Sequence, residues 1–386
     1  MELKTEEKLI LFLLVMENSA QLVSKIRELL KDKRHTVDFI RVFEHAAANE
    51  VAPIVYENLR TFDNVPIEII ARFRNAYLHS LRNNILNSEE MLRILSSLAK
   101  CGVKAIPLKG SFASDIIFDN PGIYPATDID ILVKPEDIKK AEDILNEQGY
   151  MKNEIIGSED LLSGHYHFLY IKDSYFLELH WNLVKRYFRV PPEFWWDETE
   201  QIEYSGITIS VLSHERYLMY AIFRLFDHGF RPLKFFIFIY GLLRKYKNEI
   251  DWQKLFLYSK QYKMERMLFF TLRLLNDIFH EDIPQFILQR KLTGYELIKK
   301  QVISGLFGEV KRPHLRMLFY TSLLDSPGDF FVNIIRRIFP KSSEIRLRYG
   351  ISEKSRMVYM YYLLNPLIIF LKRRNPEKWE SRETKV

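Results

Sequence analysis

The first hundred residues repeat an apolar position every three or four residues. Leu9, Phe12, Leu13 and Met16 form one such stripe, and Phe39, Val42, Phe43 and Ala46 another. That spacing puts the apolar side chains on one face of a helix. Asn49 to Pro53 breaks the second run, and Ile54 to Leu59 resumes it. Pro66 to Lys100 predicts one long amphipathic helix, with Ile69, Phe73, Met91, Leu95 and Leu98 among its apolar positions. The period changes at Gly102. Val103 to Leu108 is short and apolar, a strand. Lys109-Gly110-Ser111 is a turn, and Ser111 to Phe118 opens a helix that Asn120-Pro121-Gly122 ends. Ile129 to Val133 is dense in branched aliphatic residues and predicts a second strand. Pro135 starts a helix over Glu136 to Gln148, which Gly149 stops. His165 to Ile171 and Phe176 to Trp181 read as a hairpin turning at Lys172, Asp173 and Ser174.

Helical spacing returns at Ser213 and continues through Phe235 to Tyr246, Trp252 to Tyr262 and Glu265 to Phe279, with at least two more helices in 313–374. The order predicts an α+β protein: a small mixed sheet flanked by helical regions. The boundaries fall at 1–100 for the N-terminal helices, 101–212 for the core and 213–386 for the C-terminal helices.

Composition narrows this picture. The hydrophobic share of 47% against 27% charged fits a folded chain and excludes a disordered one. The one cysteine, Cys101, rules out an intrachain disulfide and a cysteine zinc cluster, and points to a reducing, cytoplasmic setting. Its neighbours suggest a small buried hydrophobe. The net charge of +6 suits an anionic substrate without demanding nucleic acid. Met357 to Leu371 is the most membrane-like stretch. Asn365-Pro366 interrupts it, and it falls short of the ~20 residues that span a bilayer, so a buried helix with basic ends is expected and no transmembrane segment.

The candidate chemistry lies in Asp128-Ile129-Asp130. Alternate residues of a strand face the same way, so both carboxylates project together. Such a pair repels itself unless a cation intervenes, and Mg²⁺ or Mn²⁺ takes oxygen ligands of this kind. Glu178, between Leu177 and Leu179 in the later strand, is a third acid that shares a face with His180. Gly110 permits a tight turn close to a ligand. Ser111 begins a helix whose free N–H groups can receive phosphate. Lys109 is either a triphosphate contact or a surface lysine.

The run from Leu108 to Val133, LKGSFASDIIFDNPGIYPATDIDILV, resembles the nucleotidyltransferase superfamily of DNA polymerase β. More narrowly, Leu108 to Gly110, Asp128 to Val133 and Glu178 to Trp181 resemble a bacterial and archaeal family of uncharacterised nucleotidyltransferases, with a weaker likeness in Ile334 to Tyr349. The resemblance implies Asp128, Asp130 and Glu178 as catalytic metal ligands, and Lys109, Gly110 and Ser111 around a nucleoside triphosphate. The reaction it implies is Mg²⁺-dependent transfer of a nucleoside monophosphate to an acceptor, a small molecule, sugar or protein, with release of pyrophosphate. Tyr124 stands where the family pattern implies an arginine. That departure leaves open a nucleotide-binding module without catalysis.

Three histidines, His165, His167 and His180, can approach the same site and contact the nucleotide, or form the outer face of a hairpin. His228 is a helix cap or a cleft residue. The basic run from Arg336 to Arg348 is a solvated face or a nucleic-acid contact, with the solvated face favoured.

Overall fold

The computed structural model describes residues 3–15, 19–31, 37–153, 166–185, 188–308 and 320–326. Towards the C-terminus it describes 328, 331–332, 335, 339–340, 342–349, 351–352 and 355–372. The N-terminal part is helical: α1 (Thr5–Leu13), α2 (Ala20–Lys31), α3 (Phe39–Ala48), α4 (Ala52–Leu59) and α5 (Ile67–Lys100). Asp38 starts α3 by accepting a hydrogen bond from Arg41 N at 3.0 Å, which satisfies one of the free N–H groups of the first turn. α5 runs for 34 residues. Its first half carries Ile69 and Phe73 into one apolar core, and its second half carries Met91, Ile94, Leu95 and Leu98 into another.

The second core is the sheet. Its strands are β1 (Ala105–Pro107), β2 (Ile129–Val133), β3 (Met151–Lys152), β4 (His167–Lys172) and β5 (Tyr175–His180), in the order β1-β2-β5-β4-β3. β2 and β5 pair in parallel, and the other neighbours are antiparallel. α6 (Ser111–Phe118) follows β1, and α7 (Ile138–Glu147) connects β2 to β3. All five residues of β2 are buried, as a central strand requires. A separate hairpin, β6 (Glu200–Tyr204) and β7 (Ile207–Val211), turns at Ser205-Gly206, both with positive φ.

The helices after the sheet are α8 (His214–Asp227), α9 (Leu233–Lys245), α10 (Trp252–Gln261), α11 (Glu265–Phe279), α12 (Gln285–Leu288) and α13 (Tyr295–Phe307). They share the first core with the N-terminal helices. Asn49 ties the two sets together: its Nδ2 donates to Leu306 O at 2.7 Å, and its Oδ1 accepts from Leu233 N at 3.2 Å. Two helices near the C-terminus complete the description, α14 (Ser342–Tyr349) and α15 (Met357–Lys372).

The protein is therefore α+β, a mixed sheet within a mostly helical body. Two expectations change. Cys101 is exposed, not buried, because α5 ends at it and Gly102, at φ 73°, turns the chain away. α15 is only half buried. Val358 and Asn365 face inward, whereas Leu363 is 78% exposed.

Candidate functional site

The acids meet through strand pairing. In the parallel register of β2 and β5, Asp130 stands directly opposite Glu178. Asp128 occupies a bend just before β2 and not the strand itself, yet its carboxylate still turns to the same place. One carboxylate oxygen from each of Asp128, Asp130 and Glu178 lies within 4.8 Å of the other two. Burial is graded: the Asp130 side chain is 0% exposed, Glu178 21% and Asp128 26%. The cluster thus opens toward solvent on the side of Asp128 and Glu178.

Gly110 makes the close approach possible. Its φ is 69°, and a Cβ there would lie 3.1 Å from Asp128 O and 3.2 Å from Ala126 Cβ. Ser111, buried, then opens α6. Leu108, just before this turn, extends the β1 pairing by donating its N–H to Asp130 O at 3.1 Å. Its own carbonyl accepts from the Tyr217 hydroxyl of α8, which fixes the helix against the turn.

A lysine and a histidine face the acids. Lys109 Nζ lies 3.2 Å from Asp128 Oδ2 and 2.9 Å from Asp130 Oδ2. Burial would discharge this lysine, but Asp130 and Asp128 outweigh that and raise its pKa well above the ordinary value. Lys109 consequently belongs to the acid cluster and is not a surface lysine. His180, 0% exposed, places Nε2 3.0 Å from Asp130 Oδ1 and 3.3 Å from Glu178 Oε2. Burial again opposes the charge, and the contacts with Asp130 and Glu178 overcome it and raise its pKa. Glu178 feels the converse. Desolvation pushes its pKa up, but His180, Lys109 and His167 hold it far below the usual carboxylate range.

His167 is the third member of a neighbouring group. Its Nε2 is 3.6 Å from Glu178 Oε1, and its ring lies 4.9 Å from that of His180. Burial and the charge of His180 push its pKa down to about 4, so it is neutral at neutral pH. His165 lies outside the described residues. His228 follows α8 as its C-terminal cap and stacks on Phe235, 4.4 Å between ring centres.

The residue that sequence reasoning missed is Arg224 of α8. Its guanidinium is buried, yet no carboxylate pairs with it among the described residues. Nη1 donates to the Tyr166 hydroxyl at 3.1 Å, and Nε has no partner. Tyr166 in turn stacks on His180, with ring centres 5.9 Å apart. The charges of Asp130 and Glu178 reach Arg224 without touching it. A signal was present: Arg224 is the lone charge in the apolar run Tyr217 to Phe226. Tyr124, by contrast, is buried in an aromatic group with Phe118 and Phe238 at 5.8 and 5.7 Å.

The donor set fits a hard divalent cation. Three carboxylates converge, and Asp130 Oδ2 and Glu178 Oε2 are buried without a well-directed hydrogen bond, although a cationic nitrogen is near each. Oxygen atoms with spare lone pairs are what such a cation takes. A family profile described as uncharacterised nucleotidyltransferase matches residues 35–280. The chain belongs to that family. The match takes in the N-terminal helices from α3, the whole sheet and α8 to α11, so Arg224 falls inside it. The segment 334–349 lies beyond it. Membership makes the protein a transferase of nucleotidyl groups. No curated protein matches the chain, and no solved structure does.

Proposed function

We propose that this nucleotidyltransferase takes a divalent cation, Mg²⁺ or Mn²⁺, together with a nucleoside triphosphate, and transfers the nucleoside monophosphate to an acceptor hydroxyl or phosphate. The observation that carries the reading is the pairing of opposites: three convergent carboxylates and, near them, the buried guanidinium of Arg224, which no carboxylate pairs among the described residues and whose Nε has no partner. Acids in that number call for a cation. A buried cation without a carboxylate partner is costly, and a polyphosphate would supply its missing charge with geometry suited to a guanidinium. A metal–nucleotide complex satisfies both demands at once.

In this reading Asp128, Asp130 and Glu178 hold the cation. Such a cation supplies neutralisation of the charge that develops on the transferring phosphoryl group. Arg224 and Lys109 hold the phosphate chain, and the turn at Gly110 and Ser111 brings backbone N–H groups to it. An acceptor oxygen attacks the α-phosphorus, the new P–O bond forms as the bond to the β-phosphate bridge breaks, and pyrophosphate leaves. The acceptor proton passes to solvent, because Glu178, held far below the usual carboxylate range, is a weak base. His167, neutral and partly exposed, can orient the acceptor.

The test compares the wild type with Arg224→Met. Removing a buried charge that no described carboxylate pairs should leave the melting temperature unchanged or raise it. Affinity for a nucleoside triphosphate, read by calorimetry with Mg²⁺, should fall by about tenfold or more. Equal affinity in the two proteins would remove Arg224 from the phosphate site. A triphosphate that bound neither protein would remove the proposal as a whole.

A further inference from the structure

The charge of this chain is not spread evenly. Residues 327–374 hold ten lysines and arginines against three acids, a net +7, whereas the whole chain is only +6. Every positive charge in excess therefore sits in this one segment, and the rest is close to neutral. The segment also lies wholly outside the family match. Its basic character is not needed to explain a triphosphate site built by Lys109 and Arg224.

The same segment displays apolar surface. Residues 357–371 contain no charged side chain. In α15 one face packs inward: Val358 and Asn365 are buried, Tyr361 stacks on Tyr349 at 4.6 Å, and the Tyr349 hydroxyl donates to Asn365 Oδ1 at 2.8 Å. The opposite face carries Met357, Tyr359, Met360, Leu363, Leu364 and Leu367, all exposed. These recur at helical spacing and form a continuous stripe. Phe331 and Ile335, earlier in the segment, are exposed too, at 60% and 56%. Contiguous exposed apolar surface of this kind marks a contact site.

We infer that this face docks on an anionic lipid bilayer, with α15 lying in the plane of the headgroups. Three features select that occupant. The uncharged stretch is shorter than the ~20 residues a span needs, and no described helix is long and apolar enough to cross a membrane. The helix is about 24 Å long at 1.5 Å per residue, and both of its ends are basic: Arg356 before it, and Lys372, Arg373 and Arg374 at its close. A helix parallel to the surface brings both ends to the headgroups at once while the apolar stripe enters the acyl boundary. Tyr359 on that stripe has the apolar ring and polar tip that suit the interface. A nucleic acid would use the positive charge but leave the apolar stripe in water.

The experiment uses the full chain, without nucleotide, and vesicles of phosphatidylcholine with or without phosphatidylglycerol. Cosedimentation should be at least about tenfold stronger with the anionic lipid and should weaken as salt is raised. Leu363→Glu with Leu367→Glu should abolish binding while leaving the melting curve unchanged, since both side chains are exposed. Lys372→Gln with Arg373→Gln and Arg374→Gln should reduce binding to the anionic vesicles and spare the small residual binding to neutral ones. Three results overturn the inference: no binding to either vesicle; wild-type dimers that the glutamate variant dissociates, with no lipid binding; or tight binding to a single-stranded oligonucleotide that the glutamate variant retains. None of these results depends on transferase activity.

Discussion

At the scale of single residues, the site is a balance of buried charge. Asp128 and Asp130 alone would repel, and on that ground Asp130→Asn would be expected to stabilise the protein. Lys109 and His180 reverse the sign. Both contact Asp130, so the substitution takes one of two carboxylate partners from each, leaving Lys109 with Asp128 and His180 with Glu178. Leaving a buried charge wholly unpaired costs about 3–5 kcal/mol, and the contacts that remain here hold the cost below that. Asp130→Asn should thus lower stability in urea unfolding and also cut pyrophosphate release at least about a hundredfold. Asp128→Asn, at a more exposed position, should lose the same turnover with a much smaller change in stability. Turnover close to the wild type in Asp128→Asn would end its assignment as a metal ligand. The acids were legible because strand alternation puts charge and face in one pattern. Arg224 and the contact of His180 with Asp130 were less so. Their roles depend on partners from other elements: Tyr166 for Arg224, and Asp130, fifty positions away, for His180.

At the scale of elements, the turn between β1 and α6 carries the strictest demand. Gly110 combines φ 69° with ψ −131°, and a Cβ there would press on the backbone oxygen of Asp128. Gly110→Ala should cost about 1–3 kcal/mol through backbone strain, and its new methyl should push against Asp128 O. Urea unfolding measures the first effect, and Mg²⁺-dependent triphosphate affinity the second. An alanine variant with wild-type stability and affinity would show that the turn is free to adapt. The sequence made most elements readable here, since long helices and the central strands repeat their period clearly. The β6–β7 hairpin was not read. Its signals were present nonetheless: Ile202 and Tyr204 alternate with Gln201 and Glu203, Ile207, Ile209 and Val211 alternate with Thr208 and Ser210, and Ser205-Gly206 is a turn signal. The exposure of α15 was also hidden, because an uncharged run looks the same whether protein or a bilayer covers it.

At the scale of the molecule, two cores meet along α5, and the site lies where the sheet faces α8. A ligand bound there should stabilise the whole protein by mass action, about 2.7 kcal/mol at a hundred times its Kd. A nucleoside triphosphate with Mg²⁺ should therefore raise the melting temperature by a few degrees. The same nucleotide with a chelator should raise it much less. Equal shifts in the two conditions would argue that the acids hold no metal. The pairing of β2 with β5 adds a condition of time. Asp130 and Glu178 are opposite each other in space but 48 residues apart along the chain. At synthesis rates of about 5–20 residues per second, roughly 2–10 s separate their appearance at the ribosome. During that interval a nascent chain carries Asp128 and Asp130 without their third partner or His180. A metal ion held by all three acids would find no completed cluster until the hairpin of β4 and β5 had emerged and docked, so metal loading would not guide the beginning of folding.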